Sequence, residues 1–222
     1  MTAGQRSAPV GLLGGTFDPV HLGHLRPAFE LLQHLGLAEM RLLPGRVPPH
    51  RRPPRAPPAY RLARVRDAVA GVPGLGVEDC ELQRDGPSYT VETLQWLRRE
   101  LGPTRPLFFA MGSDAFRGLM GWHRWRELTD YAHLVVMLRP GSALSDLPAE
   151  LDDWLARRRA TGQGLRRIAA GGILTQAVSP LAVSSTGIRR LLAQGLSARY
   201  LMPEAVWEGI AAAGIYGYPQ AA

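Results

Sequence analysis

The sequence predicts an α/β protein with a single Rossmann-like, doubly wound, mainly parallel sheet and helices on both faces. Short apolar runs alternate with amphipathic stretches along the chain, which is the pattern of βαβ units. Of the 222 residues, 45% are hydrophobic and 20% are charged, a composition typical of globular proteins. We find no repeat and no linker, so we expect one domain over residues 1–222, with a flexible N-terminus over 1–8.

The first elements follow from local patterns. An apolar run predicts a strand over 10–13 that ends at two glycines, and leucines at helical spacing predict a helix over 22–35. A second strand is predicted over 41–43. The next thirteen residues, 46–58, contain six prolines and four arginines, which excludes a helix or a central strand. We expect this segment to be an exposed basic loop.

The remaining elements follow from the same periodicities. Helices are predicted over 60–70, 89–101, 115–128 (interrupted by two glycines), 145–159, 185–194 and 203–213. Extended segments are predicted over 75–82, 107–111, 134–138 and 177–183. In a doubly wound sheet, ligands bind at the carboxyl ends of the strands.

The composition excludes several classes of function. All 26 basic residues are Arg, so P-loop, Schiff-base and lysyl-adenylate chemistry, which need Lys, are excluded. The single cysteine, Cys80, excludes an internal disulfide and fits a reducing compartment. The N-terminus lacks the apolar core of a signal peptide, and the apolar runs are too short to cross a bilayer. We therefore expect a soluble cytoplasmic protein without a membrane partner.

The net charge of +7 raises the question of nucleic-acid binding. The arginines are spread along the chain, however, and no nucleic-acid motif accompanies them. A phosphorylated small-molecule substrate accounts for the same charge, so we expect small-molecule partners and no nucleic acid.

The most informative segment is Gly14-Gly15-Thr16-Phe17-Asp18-Pro19-Val20-His21-Leu22-Gly23-His24, where the first strand passes into the first helix. The two leading glycines let backbone N–H groups approach a phosphate without obstruction by a Cβ. His21 and His24 share one face of the first helical turn, near the positive end of the helix dipole. Together these features predict a phosphate site. The spacing differs from the dinucleotide Gly-x-Gly-x-x-Gly pattern, which disfavours an NAD-dependent dehydrogenase.

This run resembles the first signature of the nucleotidyltransferases that carry a His-x-Gly-His motif. Their second signature is a Ser/Thr-rich turn that opens a helix and is followed by Arg, and Val183-Ser184-Ser185-Thr186-Gly187-Ile188-Arg189 resembles it. Within this superfamily the chain is most similar to the bacterial nicotinate-mononucleotide adenylyltransferases, over nearly its whole length. Pro48-Pro49-His50-Arg51 resembles their mobile substrate loop, so the resemblance implies such a loop over 46–58. One departure is the small Ser113, which we leave out of the site.

The resemblance implies the site residues. It implies catalytic roles for His21, His24 and Arg189. The implied ATP-binding residues are Gly14, Gly15, Thr16, Phe17, Gly23, His24, Gly112, Asp114, Arg139, Ser184, Ser185, Thr186 and Arg189. The implied mononucleotide-binding residues are Asp18, His50, Arg51, Ser88, Tyr89, Thr90 and Trp122.

The implied reaction is adenylyl transfer from ATP to nicotinate mononucleotide, giving deamido-NAD and pyrophosphate without a covalent enzyme intermediate. Two adjacent N–H groups at a helix N-terminus, near Tyr89 and Thr90, suit the pyridine carboxylate, and Trp122 suits stacking on the ring. We expect Mg²⁺ as a cofactor, held by phosphates and water rather than by a protein metal site.

Two alternatives remain open at this point. The same chemistry could act on nicotinamide mononucleotide, phosphopantetheine or a cytidylyl acceptor. A non-catalytic nucleotide sensor or an RNA-binding protein would carry the same basic charge. The oligomeric state, including a homo-oligomer, does not follow from the sequence.

Overall fold

The computed structural model describes residues 8–46, 53–139, 141 and 143–220, and a six-stranded sheet forms its centre. The strands are β1 Val10–Gly15, β2 Glu39–Pro44, β3 Leu75–Val77, β4 Leu107–Gly112, β5 His133–Leu138 and β6 Ile173–Ala177. They lie in the order β3-β2-β1-β4-β5-β6, and every neighbouring pair is parallel. This is the strand order of a Rossmann-type sheet, which confirms the predicted fold class.

The helices connect the strands and flank the sheet. They are α1 Leu22–His34, α2 Pro58–Val69, α3 Cys80–Gln83, α4 Thr90–Leu101, α5 Ser113–Arg117, α6 Leu128–Tyr131, α7 Ala149–Arg158, α8 Gly162–Leu165, α9 Ser185–Ala193 and α10 Glu204–Ala213. Short 3₁₀ turns cover Leu119–Gly121, Trp125–Glu127 and Ile215–Gly217. None of the helices in the described ranges has the length and apolar character needed to cross a membrane.

Each face of the sheet has its own hydrophobic core, because successive side chains of a strand point to opposite faces. On β1, Leu13 joins one core and Leu12 the other, and on β4 Phe108 and Phe109 divide in the same way. Helices α1, α2, α9 and α10 cover the first core, and α4 and α7 cover the second. The predicted helices on both faces are therefore confirmed.

The two halves of the sheet diverge between β1 and β4. The chain leaves β1 through α1 towards β2, whereas β4 lies on the other side of β1. The carboxyl ends of β1 and β4 therefore border the crevice where doubly wound proteins bind ligands.

Two predicted elements differ from the structure. The last strand covers Ile173–Ala177 rather than 177–183, because only its first residues are buried beside β5 and its apolar run is short. The helical region predicted over 115–128 is interrupted at Gly118 and Gly121 as expected, and it consists of α5, two 3₁₀ turns and the start of α6. The segment 75–82 is extended only over β3 and then turns into α3. Helix α8 was not predicted.

Candidate active site

A cavity of about 660 Å³ opens at the carboxyl ends of β1 and β4, at the predicted ligand crevice. The loop after β1, the start of α1, the turn before α4 and the start of α5 form its walls. Its lining includes these predicted site residues: Gly14, Gly15, Thr16, Gly23, His24, Ser88, Tyr89, Thr90, Gly112, Asp114 and Trp122. Predictions spread over a hundred residues of sequence therefore converge on one cavity.

The two histidines of the first signature stack on each other at the start of α1. Their ring centroids are 3.7 Å apart, with an interplanar angle of 28°. The backbone N–H of His21, the N-cap residue, donates to Nδ1 of His24 at 3.3 Å. Because Nδ1 of His24 accepts this bond, a neutral His24 carries its proton on Nε2. The ring therefore has a hydrogen-bond donor on the nitrogen opposite its backbone contact.

Burial keeps both imidazoles neutral in the ligand-free protein. It lowers the pKa of His21 from 6.5 to about 4. It also lowers the pKa of His24 from 6.5 to about 3, and the neighbouring His21 adds to this shift. A neutral pair at physiological pH contributes hydrogen-bond donors to a phosphate without contributing charge.

Two residues of the first signature support His24 from outside the cavity. His21 is 4% exposed and is absent from the cavity lining. The ring of Phe17 is buried in the core and packs edge-on against the His24 ring, with centroids 5.0 Å apart. Their predicted contacts with phosphate and nucleotide stay predictions, while the side-chain contacts seen here hold His24 in place.

The second signature docks directly on the first. The N-cap residue of α9, Ser184, accepts a hydrogen bond from the backbone N–H of Gly187 at 3.1 Å. The hydroxyl of Ser185 donates to the carbonyl O of Pro19 at 2.9 Å. Nη1 of Arg189 donates to the carbonyl O of Asp18 at 2.5 Å. The two signatures, which the sequence places near opposite ends of the chain, therefore meet beside α1.

A second, smaller cavity of about 290 Å³ adjoins the second signature. Arg55, Thr186, Arg189, Arg190 and Ala193 line it. Nη2 of Arg189 donates to Oγ1 of Thr186 at 3.1 Å, and Nε of Arg189 is buried without a hydrogen-bond partner among the described residues. Three arginines, Arg55 from the segment before α2 and Arg189 and Arg190 from α9, make this pocket suited to a polyanion.

Asp18 is buried, and its carboxylate is occupied by the protein itself. Oδ1 accepts hydrogen bonds from the backbone N–H of Ala56 at 3.1 Å and from the hydroxyl of Tyr216 at 2.8 Å. Oδ2 accepts from the backbone N–H of Arg55 at 2.8 Å and lies 3.8 Å from Nη1 of Arg189. Its predicted contact with the mononucleotide stays a prediction, and the observed bonds make Asp18 an internal anchor.

The predicted acceptor residues lie at the start of α4. Tyr89 is the N-cap residue of this helix, and its ring lies against that of His123 at 4.5 Å. The hydroxyl O of Ser88 accepts the backbone N–H of Arg46 at 3.1 Å. Trp122 is half-buried, and its ring and that of Phe109 form an edge-to-face pair with centroids 6.4 Å apart. A helix N-terminus and an aromatic ring thus share one end of the cavity.

The other predicted residues differ in their placement. Asp114 is exposed on α5 and approaches only Arg117 among the described residues, at 3.5 Å. Arg139 is exposed just after β5 and lines neither cavity. His50 and Arg51 lie outside the described residues.

The sequence analysis missed several residues around the cavity. Glu81 is buried and lines it, the hydroxyl of Thr93 donates to its Oε1 at 2.8 Å, and burial raises its pKa. Arg61 and Tyr216 are buried behind the loop after β1, where they contact Thr16 and Asp18. An isolated charged residue inside an amphipathic helix carries no motif, so the sequence contains no signal for Arg61. His123 also lines the cavity.

Across the ranges that the structure describes, no three His, Cys, Asp or Glu side chains cluster as metal ligands. The polar groups of the larger cavity are imidazole, hydroxyl and backbone N–H groups together with the carboxylates of Glu81 and Asp114, and the smaller cavity adds arginine side chains. The imidazole, hydroxyl, guanidinium and backbone N–H groups suit phosphate oxygens. The site therefore has the chemistry of a nucleotide phosphate site.

Comparisons with known proteins place the chain in a family. A family model described as cytidylyltransferase-like matches residues 12–191. The probable nicotinate-nucleotide adenylyltransferase of Halorhodospira halophila is 54% identical, covering 95% of this chain and 96% of that protein. The protein of the same name from Dechloromonas aromatica is 49% identical, covering 95% and 98%.

A solved structure is similar in fold. The nicotinic acid mononucleotide adenylyltransferase of Plasmodium falciparum, in complex with NaAD, matches with a TM-score of 0.70 at 13% identity. The match covers 96% of this chain and 98% of that one. Because the family model covers most of the chain and the two bacterial relatives share about half of its residues, the chain belongs to the cytidylyltransferase-like family and, within it, to the nicotinate-nucleotide adenylyltransferases.

Proposed function

We propose that this protein transfers the adenylyl group of ATP to nicotinate mononucleotide, giving deamido-NAD and pyrophosphate, as a step of NAD biosynthesis. The observation that carries the proposal is the meeting of the two signatures, with Ser185 and Arg189 bonded to the backbone of the loop that leads into His21 and His24. The relatives named for this reaction, at about half identity over nearly the full length, support the same conclusion.

The triphosphate of ATP spans the two signatures. Backbone N–H groups around Gly14, Gly15 and Thr16 approach the phosphates, and Nε2–H of His24 donates to the oxygen that bridges the α and β phosphorus atoms. Thr186 and Arg189 hold the β and γ phosphates in the smaller, arginine-lined cavity. Ribose and base then extend along the carboxyl end of β4, past Gly112 and Asp114.

The reaction proceeds by direct in-line attack. An oxygen of the mononucleotide 5′-phosphate attacks the α phosphorus of ATP as the bond from that phosphorus to the bridging oxygen breaks, and pyrophosphate leaves with that bonding pair. The attacking phosphate is already ionised at neutral pH, so no general base and no enzyme nucleophile are needed. Catalysis consists of alignment and stabilisation of charge that shifts towards the leaving group.

The acceptor lies at the end of the cavity formed by Ser88, Tyr89, Thr90 and Trp122. The pyridine carboxylate accepts from backbone N–H groups at the start of α4, and Trp122 stacks on the ring. The amide analogue would offer an NH₂ group to the same donors and leave one of them unpaired, which favours the acid.

Magnesium enters with ATP as the Mg²⁺ complex of the triphosphate, coordinated by phosphate oxygens and water. The side chains of this chain then bind the phosphates rather than the ion, as the donor set of the two cavities supports. The protein's partners are small-molecule nucleotides, and a homo-oligomer is compatible with this role.

The test is a pyrophosphate-release assay with ATP and each acceptor in turn, with the product identified by mass. We expect deamido-NAD from the acid mononucleotide, and a kcat/KM for the acid that exceeds that for the amide by about tenfold or more, because one buried donor is left unpaired. A preference for nicotinamide mononucleotide or phosphopantetheine would replace the acceptor and keep the chemistry. Absence of pyrophosphate with every acceptor would leave a nucleotide- or RNA-binding protein.

A further inference from the structure

Arg61 is a buried cation that the proposed reaction does not use. It lies on α2 and is 1% exposed, the largest of the fully buried side chains in the described ranges. It forms no salt bridge with any carboxylate described in the structure, and burial lowers the pKa of its guanidinium. Burying a charge is costly unless its hydrogen-bonding groups are satisfied, so the contacts of this side chain need an explanation.

The guanidinium group of Arg61 donates to three backbone carbonyls from separate parts of the chain. Nη1 donates to the carbonyl O of Thr16 at 2.6 Å, in the loop after β1. Nε donates to the carbonyl O of Ala56 at 3.2 Å, and Nη2 to that of Arg46 at 3.4 Å. The guanidinium group thus links the loop after β1 to Arg46 and Ala56, which both belong to the segment between β2 and α2.

Both of these points make further contacts with the site. The backbone N–H of Arg46 donates to Ser88, which lines the acceptor end of the cavity. The backbone N–H of Ala56 donates to Asp18, whose own carbonyl accepts from Arg189. We call Ser88, Tyr89, Thr90 and Trp122 the acceptor wall, and the loop after β1 the phosphate loop. Arg61 therefore lies where the acceptor wall, the phosphate loop and the second signature are connected through backbone groups.

We propose that Arg61 is a positioning residue for the acceptor: its fork fixes Arg46 and Ala56 against Thr16 and so sets the acceptor wall relative to the reacting phosphates. This inference rests on the proposed function. Lysine keeps the charge, but all of its N–H donors are on one nitrogen at the end of a flexible side chain. It therefore cannot reach the three carbonyl oxygens that the separate nitrogens of the guanidinium group contact. The geometry of the guanidinium fork, rather than its charge, is what the site uses.

The first test is hydrogen exchange in the ligand-free protein, which does not depend on activity. The variant is Arg61→Lys, and Arg66→Lys is the matched control, since Arg66 lies exposed on the same helix and pairs with Asp79. We expect the amides of Arg46 and Ala56 to exchange about tenfold faster or more in Arg61→Lys, because the loss of charged hydrogen bonds frees both segments. Amides of β4 serve as the internal reference and should stay protected in both variants.

Unchanged protection at Arg46 and Ala56 overturns the proposal. A uniform loss of protection that includes β4, in Arg61→Lys and also in Arg61→Met, likewise overturns it, because Arg61 would then stabilise the whole fold.

The second test separates the two substrates by steady-state kinetics. We expect Arg61→Lys to raise the KM for nicotinate mononucleotide by about 10-fold to 100-fold, the scale of a misplaced contact surface. The KM for ATP should change by less, because Gly15 keeps its backbone bond to Gly45, so the phosphate loop stays attached to β2. Equal shifts in both KM values contradict a role at the acceptor.

Failure of the inference and failure of the proposed function give different results. If the wild-type protein makes no deamido-NAD, the function is wrong, whatever the exchange data are. If the wild type is active and Arg61→Lys behaves as Arg66→Lys does, the function stands and the inference is wrong.

Discussion

The role proposed for His24 depends on one backbone hydrogen bond. Because the N–H of His21 occupies Nδ1, the neutral imidazole is held in the tautomer that carries its proton on Nε2, and Phe17 restrains the plane of the ring. A hydrogen-bond donor set in advance at the position where charge develops stabilises the transition state without reorganisation. The low pKa of His24 keeps this donor neutral until an anionic substrate binds.

We predict that His24→Ala lowers kcat by about 10²–10³, the cost of losing one preorganised donor, while the fold survives. The measurement is the rate of deamido-NAD formation at saturating substrates, together with thermal unfolding. His34→Ala is the control, because His34 is exposed at the end of the same helix. An unchanged kcat in His24→Ala would remove this residue from the mechanism.

The buried imidazoles also predict a loss of stability in mild acid. Both pKa values lie below the ordinary 6.5, at about 4 for His21 and about 3 for His24. The unfolded chain therefore binds protons below about pH 6.5 that the native protein does not, so the contribution is complete above that pH and is lost as the pH falls.

We expect the free energy of unfolding in urea to fall between about pH 7 and pH 5, approaching about 1.4 kcal/mol per pH unit for each histidine below its unfolded pKa. The double variant His21→Asn/His24→Gln should reduce this slope and leave the part that comes from His133, whose pKa burial also lowers, whereas His34→Asn should retain the full slope. A slope that is the same in all three proteins would show that other groups cause the loss.

At the scale of elements, the contact between α1 and the segment before α9 leaves no room for a side chain at Gly23. A Cβ there would lie 2.9 Å from Cε1 of His21 and 3.0 Å from the carbonyl O of Val183. The second signature can approach the first this closely only because Gly23 lacks a Cβ.

We predict that Gly23→Ala destabilises the protein by about 1–3 kcal/mol, as overpacking does, despite the better helix propensity of Ala. It should also lower kcat, because the displaced His21 ring stacks on His24. Gly164→Ala on α8 is the control, since a Cβ there meets nothing within 4 Å, and it should be neutral or slightly stabilising. Unfolding in urea and kcat measured on both variants test this contact, and equal behaviour would refute it.

The elements also show what the sequence contains and what it lacks. Strong apolar periodicity predicted the strands and helices around the site correctly, because β1, β4, α1 and α4 are each buried along one face or on both sides. The position predicted for the edge strand β6 was wrong, since an edge strand buries few residues. The interruptions at Gly118 and Gly121 were predicted, but a glycine interruption does not specify the 3₁₀ turns that follow it. The hydrophobic pattern of the sequence predicts an element least well where that element packs against one neighbour or none.

The residues of the candidate site likewise fall into a group that the sequence predicts and a group that it does not. Residues of the first signature, such as Gly15, Thr16 and His24, line the cavity because a motif fixes both identity and spacing. The residues behind them were missed. Arg61 contacts Thr16, which lies 45 positions away in sequence, and Tyr216 contacts Asp18, which lies 198 positions away, and no local pattern encodes such pairs.

At the scale of the whole molecule, Asp18 joins distant parts of the chain. Its carboxylate accepts hydrogen bonds from the backbone N–H groups of Arg55 and Ala56 and from the hydroxyl of Tyr216. Its backbone carbonyl accepts a hydrogen bond from Arg189. The first signature, the segment before α2, helix α9 and the last turn of the chain are thus tied at one buried carboxylate. Local disturbance at the C-terminal turn therefore reaches the phosphate site through a single group.

We predict that Tyr216→Phe destabilises the protein by about 1.5–3 kcal/mol, the range for a hydrogen bond to a charged group, although it keeps the shape of the ring. Burial and the adjacent Asp18 raise the pKa of the Tyr216 hydroxyl, so the wild-type side chain stays a donor at every working pH. Tyr60→Phe is the matched comparison, because its hydroxyl donates at 2.9 Å to the neutral carbonyl O of Gly209, for which the loss is about 0.5–1.5 kcal/mol. Urea unfolding of both variants near neutral pH measures the difference. If Tyr216→Phe lowers the free energy of unfolding no more than Tyr60→Phe does, the hydrogen bond from Tyr216 to Asp18 does not have the strength expected of a bond to a charged group.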